Sequence, residues 1–461
     1  MIALSASEIA DIVKGKLHGE PTAIVSMPAV FDSREAKKGS LFLALVGGNQ
    51  DGHDFVDAAI SNGAVLTFST RAVSGNHVLV GDVIEAVSLL AQFVRSQLQN
   101  MKVIGITGSQ GKTSTKDLLR AICSTSGKTV APMASYNNEL GVPLTLLQCD
   151  EKTQYCIIEM GARHQGDIAK LCTVVKPDIG VVLRVGNAHI GEFGSQEAIA
   201  QTKSELIQSL SSHGIAILGS YDAFTIAMKN LHKGKTFTFG ENQSDDVRAA
   251  DIEIREGRAH FDLVTPQGRD AVGLRLIGAH HVSNALAAAA VATALGIAIE
   301  VIAGALSTAE IASKWRMELH ELNGLMLIND SYNANPESMA AALRTLLLFA
   351  QERGGESWAF MGKMHELGES SATHHLDIGT LAQEIGIDHC VAVATPEYAP
   401  ASGGDASMTF HNLDSIDEAI EFSSHINKGD VVLVKASRAE HFELLASGIE
   451  KAWKDRIGEN E

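Results

Sequence analysis

Lys102-Val-Ile-Gly-Ile-Thr-Gly-Ser-Gln-Gly-Lys-Thr-Ser-Thr115 is the stretch from which the rest of the chain can be read. Val103 to Ile106 is a short apolar run of the kind that forms a buried strand. Gly108 and Gly111 mark a turn, and Lys112 to Thr125 reads as a helix. Strand, glycine turn and helix in that order are what a phosphate-binding loop requires. Glycines let backbone N–H groups curl around phosphate oxygens, and the helix N-terminus adds about half a positive charge at the same place. In such a loop Lys112 would reach the β- and γ-phosphates, and the Thr113 hydroxyl would ligate Mg²⁺. The strict pattern places a glycine where Ile106 stands. The plain alternative is an ordinary glycine-rich turn.

A length of 461 residues suggests about three domains. Apolar residues make up 45% of the chain and charged residues 20%, enough for real cores and an ordinary surface. The formal charge is 37 − 55 = −18. An acidic chain lacks the basic footprint of unspecific nucleic-acid binding, so no nucleic-acid partner is expected. A local nest, a lysine and Mg²⁺ can still hold phosphate in that global field. The five cysteines are scattered without a Cys-x-x-Cys, as buried thiols of a reducing compartment are. No signal peptide opens the chain and no uncharged apolar run reaches ~18 residues. A cytoplasmic protein without stable membrane insertion, acting as a monomer, is the expectation.

Residues 1–82 read as a small α/β domain, with Ser7 capping a first helix, Glu8–Lys14. Ser33, Arg34 and the Gly47-Gly48-Asn49 turn stand at strand ends, where ligands are held. Residues 83–313 alternate strand and helix as a central, phosphate-loop ATPase-like domain with a mostly parallel sheet. Glu159 ends the apolar strand after Tyr155, a position from which an acid serves Mg²⁺. Gly186 to Ser195, with His189, reads as an active-site loop, and Ser195 caps a helix carrying Lys203. A lone loop histidine and a lone helix lysine are otherwise usually surface groups. Short alternating runs over Phe237–Phe239, Asp251–Arg255 and Ala259–Val264 suggest an antiparallel appendage. Asn284, in the first turn of an alanine-rich buried helix, either reads a base edge or caps the helix. Residues 314–461 form a third α/β unit, doubly wound and Rossmann-like, with Pro336 in the first turn of a helix.

Together these residues resemble the Mur ligases of peptidoglycan synthesis, over nearly the whole chain. The carriers are Asp32-Ser-Arg34, Gly48-Asn-Gln-Asp-Gly-His-Asp-Phe55, the phosphate loop, and Asn137-Asn-Glu-Leu-Gly-Val-Pro-Leu-Thr145. Glu159-Met-Gly-Ala162, Asn187-Ala-His189, Phe193-Gly-Ser195, Arg316-Met317 and Asp330-Ser-Tyr-Asn-Ala-Asn-Pro336 continue it. The last run is most similar to members that join D-alanyl-D-alanine to a UDP-muramoyl-tripeptide. The chain departs from the family's usual residues at Trp315, Lys363 and Ala436.

The resemblance implies a UDP-sugar in the first domain, ATP and two Mg²⁺ ions in the central one, and a third domain closing over them. It implies ATP contacts from Gly108, Ser109, Gln110, Gly111, Lys112, Thr113, Ser114, Asn284, Arg316 and Asp330. Metal would be served by Thr113, Glu159, His189 and a carbamoylated Lys203, and Arg316 would meet the γ-phosphate. Ser33, Arg34, Gly47, Asn49, Asn137, Asn138, Asn333 and Asn335 would bind substrate. The implied chemistry is activation of a carboxylate as an acyl phosphate, then attack by an amine. Lys112, Glu159, His189, Lys203 and Arg316 are its candidate catalytic groups. Two rivals are another amide ligase, such as a sister Mur step or a folylpolyglutamate-type enzyme, and a nucleotide-driven switch or ATPase.

Overall fold

The strand Lys102–Thr107 lies inside a continuous sheet that organises the middle of the molecule. The computed structural model describes residues 1–458, apart from 49, 133–135, 187–189, 311–313 and 401–407. Among the described residues that sheet has nine strands. Thr129–Val130, Tyr155–Glu159, Lys102–Thr107, Ile179–Val182, Ile215–Gly219 and Lys235–Gly240 run parallel in that spatial order. Val247–Arg255 joins by a short parallel pairing, and Arg258–Thr265 and Gly268–Ile277 continue antiparallel. The expected antiparallel pairing holds for Asp251–Arg255 and Ala259–Val264, which pair with each other antiparallel, and is corrected for the first run. Phe237 and Phe239 belong to a parallel strand, and the later hairpins extend the same sheet. Alternating side chains disclose a half-buried strand but not the direction of its partner.

A parallel sheet must be covered on both faces. Helix Lys112–Ser126 and the alanine-rich helix His281–Ala294 share one apolar core with Ile104, Ile106, Val181 and Ile217. Methyl side chains allow the second helix to pack close, and twelve of its fourteen residues are buried. The other face is closed by helix Val83–Gln97, whose N-cap Asp82 accepts from Glu85 N at 2.8 Å. It buries Val83, Ala86, Val87, Leu90, Ala91 and Val94, a spacing that puts them on one face. Their core runs on from Leu41 and Phe68 in the first unit to Val103 and Cys156 in the central sheet. The first two units are thus joined by a shared interior. Leu90→Ala should cost about 2–5 kcal/mol of stability, read as a lower urea midpoint.

The first unit has a five-stranded sheet in the spatial order Lys16–His18, His77–Leu79, Ala64–Ser69, Ser40–Leu43, Ala29–Val30. Its first helix is Ala6–Ile12, two residues earlier than expected, and the cap is Ser5 rather than Ser7. Ser5 and Glu8 form a reciprocal capping box, which outweighs a lone serine nearer the apolar run. The third unit has a six-stranded sheet, with Glu318–Leu322 antiparallel on its edge and the other pairings parallel. Two apolar clusters cover its opposite faces, one around Leu343 and Leu346, the other around Leu445 and Ile449. That is a doubly wound unit. Among the described residues no helix is long and apolar enough to cross a membrane.

Candidate active site

Phosphate groups would meet the C-terminal edge of the central sheet, where the first parallel strands release their loops. Gly111 precedes helix Lys112–Ser126 with φ +82°, and a Cβ there would lie 2.3 Å from the Asn284 Oδ1. Only glycine satisfies both conditions. Asn284 is thereby packed against the loop. It is the fourth residue of its helix, whose cap is His280, so the capping alternative is excluded. Ser109 Oγ accepts from Gly186 N at 2.8 Å, tying the loop to the neighbouring strand's exit. Lys112 Nζ folds over the turn and donates to Gly108 O at 2.7 Å. Desolvation pulls its pKa down, while Glu159 opposes the shift.

Glu159 ends its strand at 0% exposure. Thr113 Oγ1 donates to its Oε2 at 3.1 Å and receives a hydrogen bond from Arg316 Nη2 at 3.0 Å. The other oxygen, Oε1, is buried without a hydrogen-bond partner among the described residues, with Lys116 Nζ 3.6 Å away. Burial raises the carboxyl pKa, opposed by Lys116, Arg316 and Lys112. A buried orphan carboxylate oxygen beside a hydroxyl fits a hard divalent cation. The described residues contain no group of three or more carboxylate, histidine or cysteine side chains placed to hold a metal ion. Mg²⁺ at nucleotide sites needs few protein ligands, because phosphates and water complete the shell. Sequence reading overlooked Lys116. Its signal was spacing, four residues after Lys112 and so on the same helix face.

Lys203 lies two turns into helix Gln196–Gln208, whose cap Ser195 accepts from Ala198 N at 3.2 Å. It is 6% exposed, and among the described residues no carboxylate pairs with it. Burial, then the nearby Lys112 charge, brings its pKa down to about 7. His189, also expected here, lies outside the described residues, as does Asn49 of the first unit.

The third unit supplies the opposite wall. Arg316 lies over the Tyr332 ring, 4.0 Å from its centroid. Asp330 Oδ1 accepts from Met317 N at 3.2 Å, and Tyr332 N donates to Trp315 O at 3.1 Å. Asn335 caps helix Pro336–Arg353 by accepting from Ser338 N at 2.8 Å. One cavity of about 1000 Å³ takes in Lys112, Glu159, Lys203, Asn284, Arg316 and Asp330. Ser109, Gln110, Gly111, Thr113, Ser114, Asn137, Asn138, Asn333 and Asn335 line it as well. Gly108 stands behind it as the acceptor for Lys112.

Residues 30–103 match the Mur ligase family catalytic domain, residues 106–292 the Mur ligase middle domain, and residues 315–438 the Mur ligase glutamate ligase domain. The chain belongs to the Mur ligase family. It is 38% identical to the UDP-N-acetylmuramoyl-tripeptide–D-alanyl-D-alanine ligase of Mycobacterium tuberculosis, over 97% of this chain and 98% of that one. A solved structure of MurF from Acinetobacter baumannii superposes with a TM-score of 0.86 at 34% identity, covering 97% of this chain and 99% of that chain. MurF from Thermotoga maritima in complex with ADP gives a TM-score of 0.79 at 28% identity, covering 94% and 99%.

In this Mur ligase the first unit's candidates stand apart from the cavity wall. Ser33 is buried in the turn Ser33–Glu35, and its carbonyl accepts from Asn62 Nδ2 at 2.9 Å. The Arg34 side chain, 87% exposed, pairs with Asp32 at 2.6 Å. Gly47 N donates to Gln50 O at 2.8 Å. Trp315, Lys363 and Ala436, singled out in the sequence, lie in one patch. Arg438 lies 4.5 Å over the Trp315 ring, Ser437 N donates to Lys363 O at 3.1 Å, and the Ala436 Cβ packs against Gly362.

Proposed function

We propose that the chain is the ATP-dependent ligase that joins D-alanyl-D-alanine to UDP-N-acetylmuramoyl-tripeptide, giving the UDP-muramoyl-pentapeptide, ADP and phosphate in the cytoplasm. The observation that carries this reading is the link across two units, Arg316 Nη2 to Thr113 Oγ1 at 3.0 Å, above a buried Glu159. It sets a guanidinium, the Lys112 ammonium and a carboxylate around one point. In-line transfer of a phosphoryl group to an anionic acceptor needs that arrangement.

On this reading residues 1–82 take the UDP-sugar, 83–313 take ATP and Mg²⁺, and 314–461 close over both and hold the dipeptide. The tripeptide carboxylate attacks the γ-phosphorus, the P–O bond to ADP breaks, and an acyl phosphate forms. The dipeptide amine then attacks the acyl carbon, phosphate leaves with the bonding pair, and the amine proton passes to solvent. Lys112 spans the loop where the β- and γ-phosphates sit, and Arg316 neutralises charge on the group in transit. Asn284 faces the base and Asp330 the ribose. Thr113, Glu159, His189 and a carbamoylated Lys203 would hold two Mg²⁺ ions, which would supply positive charge to screen the triphosphate from the incoming anion. Closure of the third unit keeps water from the acyl phosphate.

Phosphate release tests the substrate pair. UDP-muramoyl-tripeptide with D-alanyl-D-alanine should support turnover, with the pentapeptide product confirmed by mass. D-alanine alone should fall by ~10⁴ or more, because polar groups that pair with the dipeptide's second residue are left unpaired. A tripeptide without UDP should lose the binding energy that positions its carboxylate. Equal rates with D-alanine, or a dispensable UDP, would refute the assignment while leaving an amide ligase. Phosphate release with neither acid nor amine present would favour an ATPase.

A further inference from the structure

The strand Val431–Lys435 runs through the middle of the third unit's sheet, between Leu325–Asn329 and Ser357–Met361. Its last residue is a lysine at 1% exposure. The backbone there is held on both sides. Asp330 N donates to Val434 O at 3.0 Å, and Gly362 N donates to Lys435 O at 3.0 Å. The Lys435 Nζ therefore projects from a rigid base. It donates to Asp330 Oδ2 at 2.5 Å and to Asn333 O at 2.9 Å. A buried cation is retained only where such partners compensate its desolvation.

Those two contacts grip both ends of the Asp330–Asn333 turn. The second Asp330 oxygen accepts from Met317 N, and Tyr332, inside the same turn, supports the Arg316 guanidinium. We propose that Lys435 is the positioning residue of the nucleotide site: its ammonium fixes the Asp330 carboxylate and, through the turn, the shelf on which Arg316 lies. It acts through Asp330 rather than on the ligand, and two of its three donors are spent within the turn. The inference rests on the nucleotide reading of Asp330 given above.

A double-substitution cycle on ADP affinity separates the cases. ADP has no γ-phosphate, so the measurement reads the Asp330 arm without the Arg316 arm. Asp330→Asn, Lys435→Met and the double variant are titrated with ADP and Mg²⁺ by calorimetry, beside circular dichroism and melting curves. Each single change should weaken ADP about tenfold. The double variant should be no weaker than the worse single, because the two residues are one unit. It also removes both charges of the pair, so it folds even where Lys435→Met alone leaves the half-buried Asp330 unpaired. Should the single variant fail to fold, Lys435→Gln takes its place in the cycle and keeps a donor for Asn333 O. Wild-type affinity in a folded Lys435 variant overturns the proposal, and so do multiplicative losses of about a hundredfold in the double, the signature of a lysine that touches the nucleotide itself. Wild-type affinity in Asp330→Asn overturns the nucleotide reading of Asp330 instead.

Discussion

Lys112→Ala should fold as the wild type does and lose ligation by about a thousandfold or more. The ammonium sits at the mouth of a loop whose shape is set by other groups. Gly111 is fixed by its φ of +82° and by Asn284, and Ser109 by its bond with Gly186. The ammonium's own hydrogen bond goes to Gly108 O, which water reaches once the side chain is shortened. Its pKa is lowered by desolvation, so burying it costs stability rather than supplying it. Its loss therefore falls on the reaction, where an uncompensated triphosphate meets a carboxylate. Arginine should not restore the rate, since a planar fork does not replace a compact ammonium inside a tight loop. Circular dichroism, a melting curve and coupled phosphate release check this together. Near-normal turnover in a folded Lys112→Ala protein would end the phosphate-loop reading.

What was legible in the chain follows the range of the signals. The phosphate loop is local: an apolar strand, two glycines and a Lys-Thr pair lie within a dozen residues, and each has its own physical reason. Glu159 was legible as an acid at the end of an apolar strand, and Pro336 marked a helix start that the structure contains, while its cap, Asn335, reads in the sequence only as a substrate contact. The first cap shows the limit of such rules, because Ser5 and Ser7 both fit them and only the reciprocal bond with Glu8 distinguishes them. Partner direction was not legible at Phe237 and Phe239, where a strand beside Ile215–Gly219 makes the pairing parallel. Distant pairings were invisible for the same reason. Arg316 meets Thr113 and Lys435 meets Asp330 through folding of separate units, and no spacing rule spans that distance. The resemblance supplied Arg316 and Asp330. It did not supply Lys116 or Lys435, the buried cations behind the two carboxylates.

Lys203→Ala should be nearly inactive and partly rescued by formate or acetate. The reasoning starts from burial. An ammonium 6% exposed, without a carboxylate partner among the described residues and close to Lys112, is an expensive group to keep charged. Burial first, and the Lys112 charge second, bring its pKa to about 7, so near neutrality much of it is free amine. A free amine adds to CO₂, forming an N–C bond and releasing one proton, and the product is a carbamate. That would convert the costly cation into an anion near Lys112, and would offer an oxygen donor for Mg²⁺. The sign with pH follows. At fixed dissolved CO₂, carbamate should increase as pH rises through about 7, because the neutral amine is the reactive form. ¹³C-bicarbonate labelling of the wild type should give a carbamate resonance that is missing in Lys203→Ala. Removing CO₂ should lower wild-type activity reversibly, and a short carboxylate should restore part of it to the variant by occupying the vacated space. A wild type that takes up no label, together with an active Lys203→Ala, would leave Lys203 as a buried amine that only helps to shape the cavity wall.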